Sequence, residues 1–237
     1  MRPSSPIYTL KRHAKRLARE NDIRLHEALD QIAAKEGFKD WSHLASSSSK
    51  ATPAKEIMSQ LRSGDMVLIG ARPGHGKTLL GLELAALAEK NSRKSYVFSL
   101  EYNEADVWDR FAKLGLDKDA GGRRTVVDTS DDICAAYIIE YLDHRPGEAL
   151  VVIDYLQLLD QRRSNPSLEE QVRALKKFAV ESGAIVVLIS QIDRAFDLAS
   201  SDMPGLGDVR LPNSLELSLF DKTCFLHDGD VKIEKAA

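Results

Sequence analysis

Residues 66–80 read MVLIGARPGHGKTLL. Met66 to Ile69 is a short apolar run of the kind that forms a buried strand. A turn rich in Gly and Pro follows, then Lys77-Thr78, then a leucine-rich segment at helical spacing. Strand, glycine-rich turn and helix in that order are what a phosphate-binding loop requires. Gly74 and Gly76 let the backbone curl so that its N–H groups face an anion at the helix N-terminus. In such a loop Lys77 reaches the β- and γ-phosphates and the Thr78 hydroxyl ligates Mg2+. The expected nucleotide-binding segment is therefore Ala71, Arg72, Pro73, Gly74, His75, Gly76, Lys77, Thr78 and Leu79. It departs from the GxxxxGK[ST] pattern at one place, where Ala71 stands for the first glycine.

Outward from this loop, apolar strands alternate with helical segments. Strands are expected at 66–70, 95–100, 124–128, 149–153, 184–190 and 223–227, with helices near 77–90, 104–114, 131–143 and 167–182. The last helix opens on Ser167-x-x-Glu170, a capping box. Such alternation predicts an α/β fold with a mostly parallel sheet covered on both faces. The tail from Phe225 to Ile233 reads as a hairpin, because Asp228-Gly229 suits a type I′ turn.

Upstream of the core, expected over 56–237, residues 46–55 (SSSSKATPAK) have a linker's composition. Residues 1–45 predict a small all-α domain. Leu10, Ala14, Leu17 and Ala18 share one helical face and Lys11, Arg12, Lys15, Arg16 and Arg19 the other. Leu25, Leu29, Ile32 and Ala33 repeat the pattern, Gly37 ends that helix, and Asp40 can cap a third carrying Trp41 and Leu44. The basic face has two readings, a docking surface for nucleic acid or a partner protein, or a solvated surface. The net charge of -3 confines any nucleic-acid contact to local patches. Cys134 and Cys224 have no CxxC companion and fit a reducing cytoplasm as core residues. The apolar runs are too short to span a bilayer, so no membrane association is expected.

Two acids and one amide end strands beside the loop. Val151-Val152-Ile153-Asp154 delivers a carboxylate to the C-terminal edge of a buried strand, where open α/β sheets bind ligands. There Asp154 can hold Mg2+, although an acid in that position is also often a turn cap. Tyr96 to Leu100 runs into Glu101, the candidate to orient and deprotonate an attacking water; its plain reading is a surface acid opening a loop. Ser190-Gln191 closes another strand, and Gln191 can sense the γ-phosphate or simply be a polar strand end.

ARPGHGKT, FSLE, VVIDYLQLL, LKKFAVESGAIVVLISQIDR and GLGDVRLPNSLELSLFDKTCFLHD resemble, in that order, the motifs of DnaB-type replicative helicase motor domains, which are RecA-like P-loop NTPases. The resemblance covers about residues 56–230. It implies ATP and Mg2+ as cofactors, with Lys77 and Thr78 on phosphate and metal, Glu101 as catalytic base, Asp154 on the metal and Gln191 as sensor. It further implies that the loops after Asp154 (Arg162, Arg163) and after Gln191 (Arg194, Arg210) grip single-stranded DNA inside a homo-oligomer. Two departures stand beside it. Val231 to Lys235 holds no arginine where the family carries a Lys-x-Arg finger for a neighbouring subunit's nucleotide. The N-terminal helices do not resemble the family's collar domain, so their protein partner is unnamed. The expected function is Mg2+-dependent ATP hydrolysis by a motor on or near single-stranded DNA; the alternative is a nucleotide-dependent switch without helicase activity.

Overall fold

The computed structural model describes residues 7–47, 52–116, 124–143, 148–159, 161–162, 164–198, 201–211, 213–228 and 230–235. Seven strands form one sheet in the order β3-β2-β4-β5-β1-β6-β7. These are β1 (Met66–Ala71), β2 (Lys94–Ser99), β3 (Thr125–Asp128), β4 (Ala149–Asp154), β5 (Ile185–Gln191), β6 (Lys222–His227) and β7 (Asp230–Lys235). Every pairing is parallel except β6 with β7. The expected strands are all present, displaced by a residue or two at their ends, and β7 completes the hairpin. His227 pairs with Asp230, which leaves two residues for the turn, and Asp228 has the positive φ of 49° that a type I′ turn needs. Gly229 lies outside the described residues.

A buried parallel strand reads as unbroken apolar sequence because both of its faces are covered. β1 illustrates it. Met66 and Leu68 enter one core and Val67, Ile69 and Ala71 the other. The first core lies under α7 (Ala135–Asp143) and α8 (Leu168–Ser182). The second lies under α4 (Pro53–Gln60), α5 (Lys77–Lys90) and α6 (Glu104–Lys113). On α5 the glycine at position 81 permits close approach to the sheet. A Cβ there would stand 2.8 Å from Ile189 Cδ1 and 3.1 Å from Val152 Cγ1.

The helix expected over 131–143 begins only at Ala135. Its first turn is set from outside. The buried Gln171 side chain, on α8, accepts the Ala135 N–H at 2.9 Å while its own amide donates to Leu159 and Pro166 carbonyls. The polar stretch 46–55 is also shorter than its composition implies, since Ser46 and Ser47 belong to α3 and Pro53 to Lys55 to α4; residues 48–51 lie outside the described residues.

The N-terminal helices α1 (Ile7–Glu20), α2 (Leu25–Lys35) and α3 (Trp41–Ser47) close around their own cluster of Leu10, Ala14, Ala28, Ile32, Ala33, Phe38 and Leu44. Trp41 packs against the side of this cluster, and Leu25 is exposed. Asp40 accepts the His43 N–H at 2.7 Å, as its capping role requires. The basic face of α1 is partly engaged within the chain. Arg12 Nε lies 3.3 Å from Asp230, and Lys15 Nζ donates to the Asp228 carbonyl at 3.5 Å, so α1 sits on the β6–β7 hairpin. Lys11, Lys15, Arg16 and Arg19 remain exposed at that surface.

Candidate nucleotide site

The C-terminal ends of β1, β2, β4 and β5 share one rim. Ser99 pairs with Asp154, Asp154 with Ile189, and Ala71 with Gln191. Between β1 and α5 the chain turns through Gly74 at φ 82° and Gly76 at φ 87°. A Cβ at either would meet nothing within 4 Å. The glycines are therefore required by backbone conformation rather than by crowding, as expected where a loop wraps an anion.

Four expected side chains converge behind this loop. Thr78 donates its hydroxyl to Asp154 Oδ2 at 2.8 Å. Lys77 is buried, with Nζ 3.7 Å from Glu101 Oε2. Asp154 is 2% exposed, and its second oxygen, Oδ1, is buried with no hydrogen-bond partner among the described residues. Burial pushes its carboxyl up to about 6; the Thr78 hydrogen bond opposes this, Glu101 adds to it, and Lys77 and Arg110 oppose it. An orphaned carboxylate oxygen costs desolvation energy unless a partner arrives. The donor set, one carboxylate and one hydroxyl, fits Mg2+, a hard cation usually held by one or two carboxylates with substrate phosphates.

The other expected residues are placed differently. Arg72 is committed to protein. Its Nε and NH2 hold Asp197 at 3.0 and 2.8 Å, and NH1 donates to the Ile192 carbonyl at 3.1 Å. His75 stacks on His227, with centroids 5.0 Å apart, and its Nδ1 accepts the Asp228 N–H at 3.0 Å. Leu79 points to solvent. Gln191 is joined to Arg210 twice, through its carbonyl at 2.8 Å from the Arg210 N–H and its side-chain oxygen at 3.4 Å from NH1. Arg194 is exposed in a short 3-10 turn, Arg194–Leu198, on the same loop. Arg162 is paired with Asp132 instead, and Arg163 lies outside the described residues.

Sequence reasoning missed Gln157. Its amide nitrogen donates to Ser190 Oγ at 2.7 Å and to the Arg210 carbonyl at 2.6 Å, and its oxygen accepts the Gln191 N–H at 3.4 Å. One side chain thereby stitches the segment after Asp154 to the end of β5 and the loop behind it. The available signal was a polar residue inside the apolar run DYLQLL. Asp197 and His227, which fix the loop through Arg72 and His75, left no local signal at all.

Residues 48–118 and 128–236 match the family model described as the DnaB-like helicase C terminal domain. The chain belongs to that family. Its core is a RecA-like P-loop ATPase domain. The replicative DNA helicase DnaB of Leifsonia xyli subsp. xyli is 30% identical over 220 residues, covering 80% of this chain and 48% of the relative. The DnaB helicase of Geobacillus stearothermophilus is 26% identical over 211 residues, covering 76% of this chain and 46% of that protein. The chain thus spans about half the length of these relatives. Among solved structures, a DnaB-like replicative helicase described with its primase interactions superposes with a TM-score of 0.62 at 22% identity, over 97% of this chain and 71% of that one. A second solved structure, described as an ATPase domain, gives 0.59 at 23% identity, over 74% of this chain and 78% of that one. Among the described residues no helix is long and apolar enough to cross a membrane.

Proposed function

We propose that this chain hydrolyses ATP in a Mg2+-dependent reaction and uses the cycle as a motor on or near single-stranded DNA. The observation that carries the reading is the convergence of Lys77, Thr78, Asp154 and Glu101 behind one glycine-turned loop, with Asp154 Oδ1 left open. When bound, Mg2+ would neutralise charge on the phosphate oxygens, held by the Thr78 hydroxyl and Asp154. Lys77 binds the β- and γ-phosphates. Its transfer to them separates it from Glu101, whose carboxylate then orients the attacking water and takes its proton. Gln191, at the end of β5, answers to the γ-phosphate and passes its position to Arg210 and, through the shared loop, Arg194. These two arginines are the candidate contacts to a phosphate backbone, whereas Arg162 is neutralised by Asp132. Residues 1–45 are proposed as a separate helical unit with a protein partner, 46–55 as the connection and 56–237 as the ATPase domain. The cytoplasm is the proposed location, and assembly into a homo-oligomer is part of the motor reading.

A second reading, a nucleotide-dependent switch without translocation, is favoured by one specific contact path. α1 rests on Asp228 and Asp230, and Asp228 donates its N–H to His75 inside the phosphate loop. Steady-state ATP hydrolysis with and without single-stranded DNA, at two salt concentrations, separates the two. The motor predicts stimulation by DNA that weakens with salt, as phosphate contacts do. Turnover indifferent to DNA overturns the motor and leaves the switch.

A further inference from the structure

We infer that Gln157 is a positioning residue that fixes Gln191 against the strand carrying Asp154 and so sets where a γ-phosphate is sensed. The inference rests on the proposed sensor role of Gln191 and names what holds that residue in place. β4 and β5 pair as parallel strands only as far as Asp154 with Ile189. Beyond Asp154 the chain leaves the sheet into a short 3-10 turn, Leu156–Leu158, pinned by the fully buried Leu156 and Leu159. Ser190 and Gln191 therefore lie past the last residue of β4 that pairs with β5. A strand end that has lost its neighbour leaves backbone groups unpaired unless side chains take them up.

One side chain takes over where the ladder stops. The Gln157 oxygen accepts the Gln191 N–H at 3.4 Å, and its nitrogen donates to Ser190 Oγ at 2.7 Å and to the Arg210 carbonyl at 2.6 Å. Ser190, itself buried, donates its hydroxyl to the Gln191 carbonyl at 3.3 Å. That carbonyl also accepts the Arg210 N–H at 2.8 Å, and an antiparallel bridge from Ile192 to Val209 closes the neck of the loop that follows. Gln191 is thus held at its N–H, at its carbonyl and at its side chain, the last by Arg210 NH1 at 3.4 Å. Asp154, three residues before Gln157, accepts the Thr78 hydroxyl from the phosphate loop. Thr78, Asp154, Gln157 and Gln191 therefore link the phosphate loop to the sensor through one hydrogen bond, one short turn of chain and one carboxamide. An apolar side chain would suit the run DYLQLL equally well; an amide is what supplies donors and an acceptor at once.

Equilibrium titration of a non-hydrolysable ATP analogue and of ADP, both with Mg2+, reads the γ-phosphate contact as the ratio of two affinities. Gln157→Met keeps the length of the side chain and removes all three hydrogen bonds. It is expected to weaken the analogue about fivefold while leaving ADP within about twofold of wild type, the loss that one hydrogen bond accounts for. In a Gln191→Ala background Gln157→Met is expected to add nothing, because residues acting through one group are not additive. Equal losses for the two nucleotides, no loss for either, or a further fivefold loss in the Gln191→Ala background overturns the positioning role. A wild-type chain that binds neither nucleotide, or a Gln191→Ala chain whose ratio matches wild type, is a different result: the proposed site or sensor itself falls, and the inference with it. Should Gln157→Met fail to fold, Gln157→Leu is read by the same criterion, since Leu156 and Leu158 show that the turn accepts that side chain.

Discussion

Glu101→Gln is expected to bind ATP and to turn it over at least a hundredfold more slowly than the wild-type protein. A positioned general base contributes on the order of 10²–10⁴ in rate, and a glutamine of the same shape cannot take the proton from water. Nucleotide binding should survive, and even tighten, because the substitution removes a negative charge 3.7 Å from the lysine that meets the phosphates. Lys77 is then freed of its ion pair with Glu101 and open to the phosphates. Steady-state phosphate release together with equilibrium titration of ATP measures both quantities on the same preparation. Turnover above about a tenth of the wild-type rate would remove Glu101 from the role of base, since general-base loss at that level is too small.

Asp154→Asn is expected to stabilise the metal-free protein while abolishing turnover. The Asp154 carboxyl is buried, with one oxygen unpartnered, and desolvation lifts it from 3.8 to about 6. Because the folded value lies above the unfolded one, the folded state holds the proton more tightly. The stability from this group is fully present below pH 4 and is lost as pH rises through about 6. At pH 7.5 without metal the ionised side chain therefore costs roughly 3 kcal/mol at most, about two pKa units at 1.36 kcal/mol each. An asparagine is spared that cost, keeps an oxygen for the Thr78 hydroxyl and removes the anion that Mg2+ would need. Thermal unfolding with a chelator at pH 7.5 should show the variant melting several degrees higher, at about 2–4 °C per kcal/mol for a chain of this size. The gap should close toward pH 4. A variant that melts lower at pH 7.5 would mean that the charge of Asp154 is compensated within the protein and is not waiting for a cation.

How much of this was legible in the sequence follows from where each signal resides. The phosphate loop was legible because its demands are local. Glycines at φ 82° and 87°, a lysine and a threonine at the next two positions are all one turn of chain. The sheet was legible because strands covered on both faces are apolar throughout, so β1, β4 and β5 stand out as Met66 to Ile69, Ala149 to Ile153 and Ile185 to Ile189. Asp154 and Glu101 could be placed at one rim because parallel strands end together. What was not legible was long range. Arg72 grips Asp197, 125 residues away, and His75 meets Asp228, 153 residues away, so neither side chain could be separated from the phosphate contacts its neighbours suggest. The start of α7 depends on Gln171 from another helix. The basic face of α1 looked free because its partners, Asp228 and Asp230, belong to the last hairpin. Gln157 was hidden for the opposite reason, since an amide among leucines in DYLQLL carries no local rule that predicts its three hydrogen bonds.

The most direct measurement is phosphate release from ATP by the wild-type chain and by Lys77→Ala, each with Mg2+ and with excess chelator. Release by the wild-type protein that stops on chelation, with Lys77→Ala at background in both conditions, is the expected pattern. Absence of release from the wild-type chain, or release that survives either the chelator or the loss of Lys77, would contradict the assignment of Lys77, Thr78, Asp154 and Glu101 to one ATP-hydrolysing site.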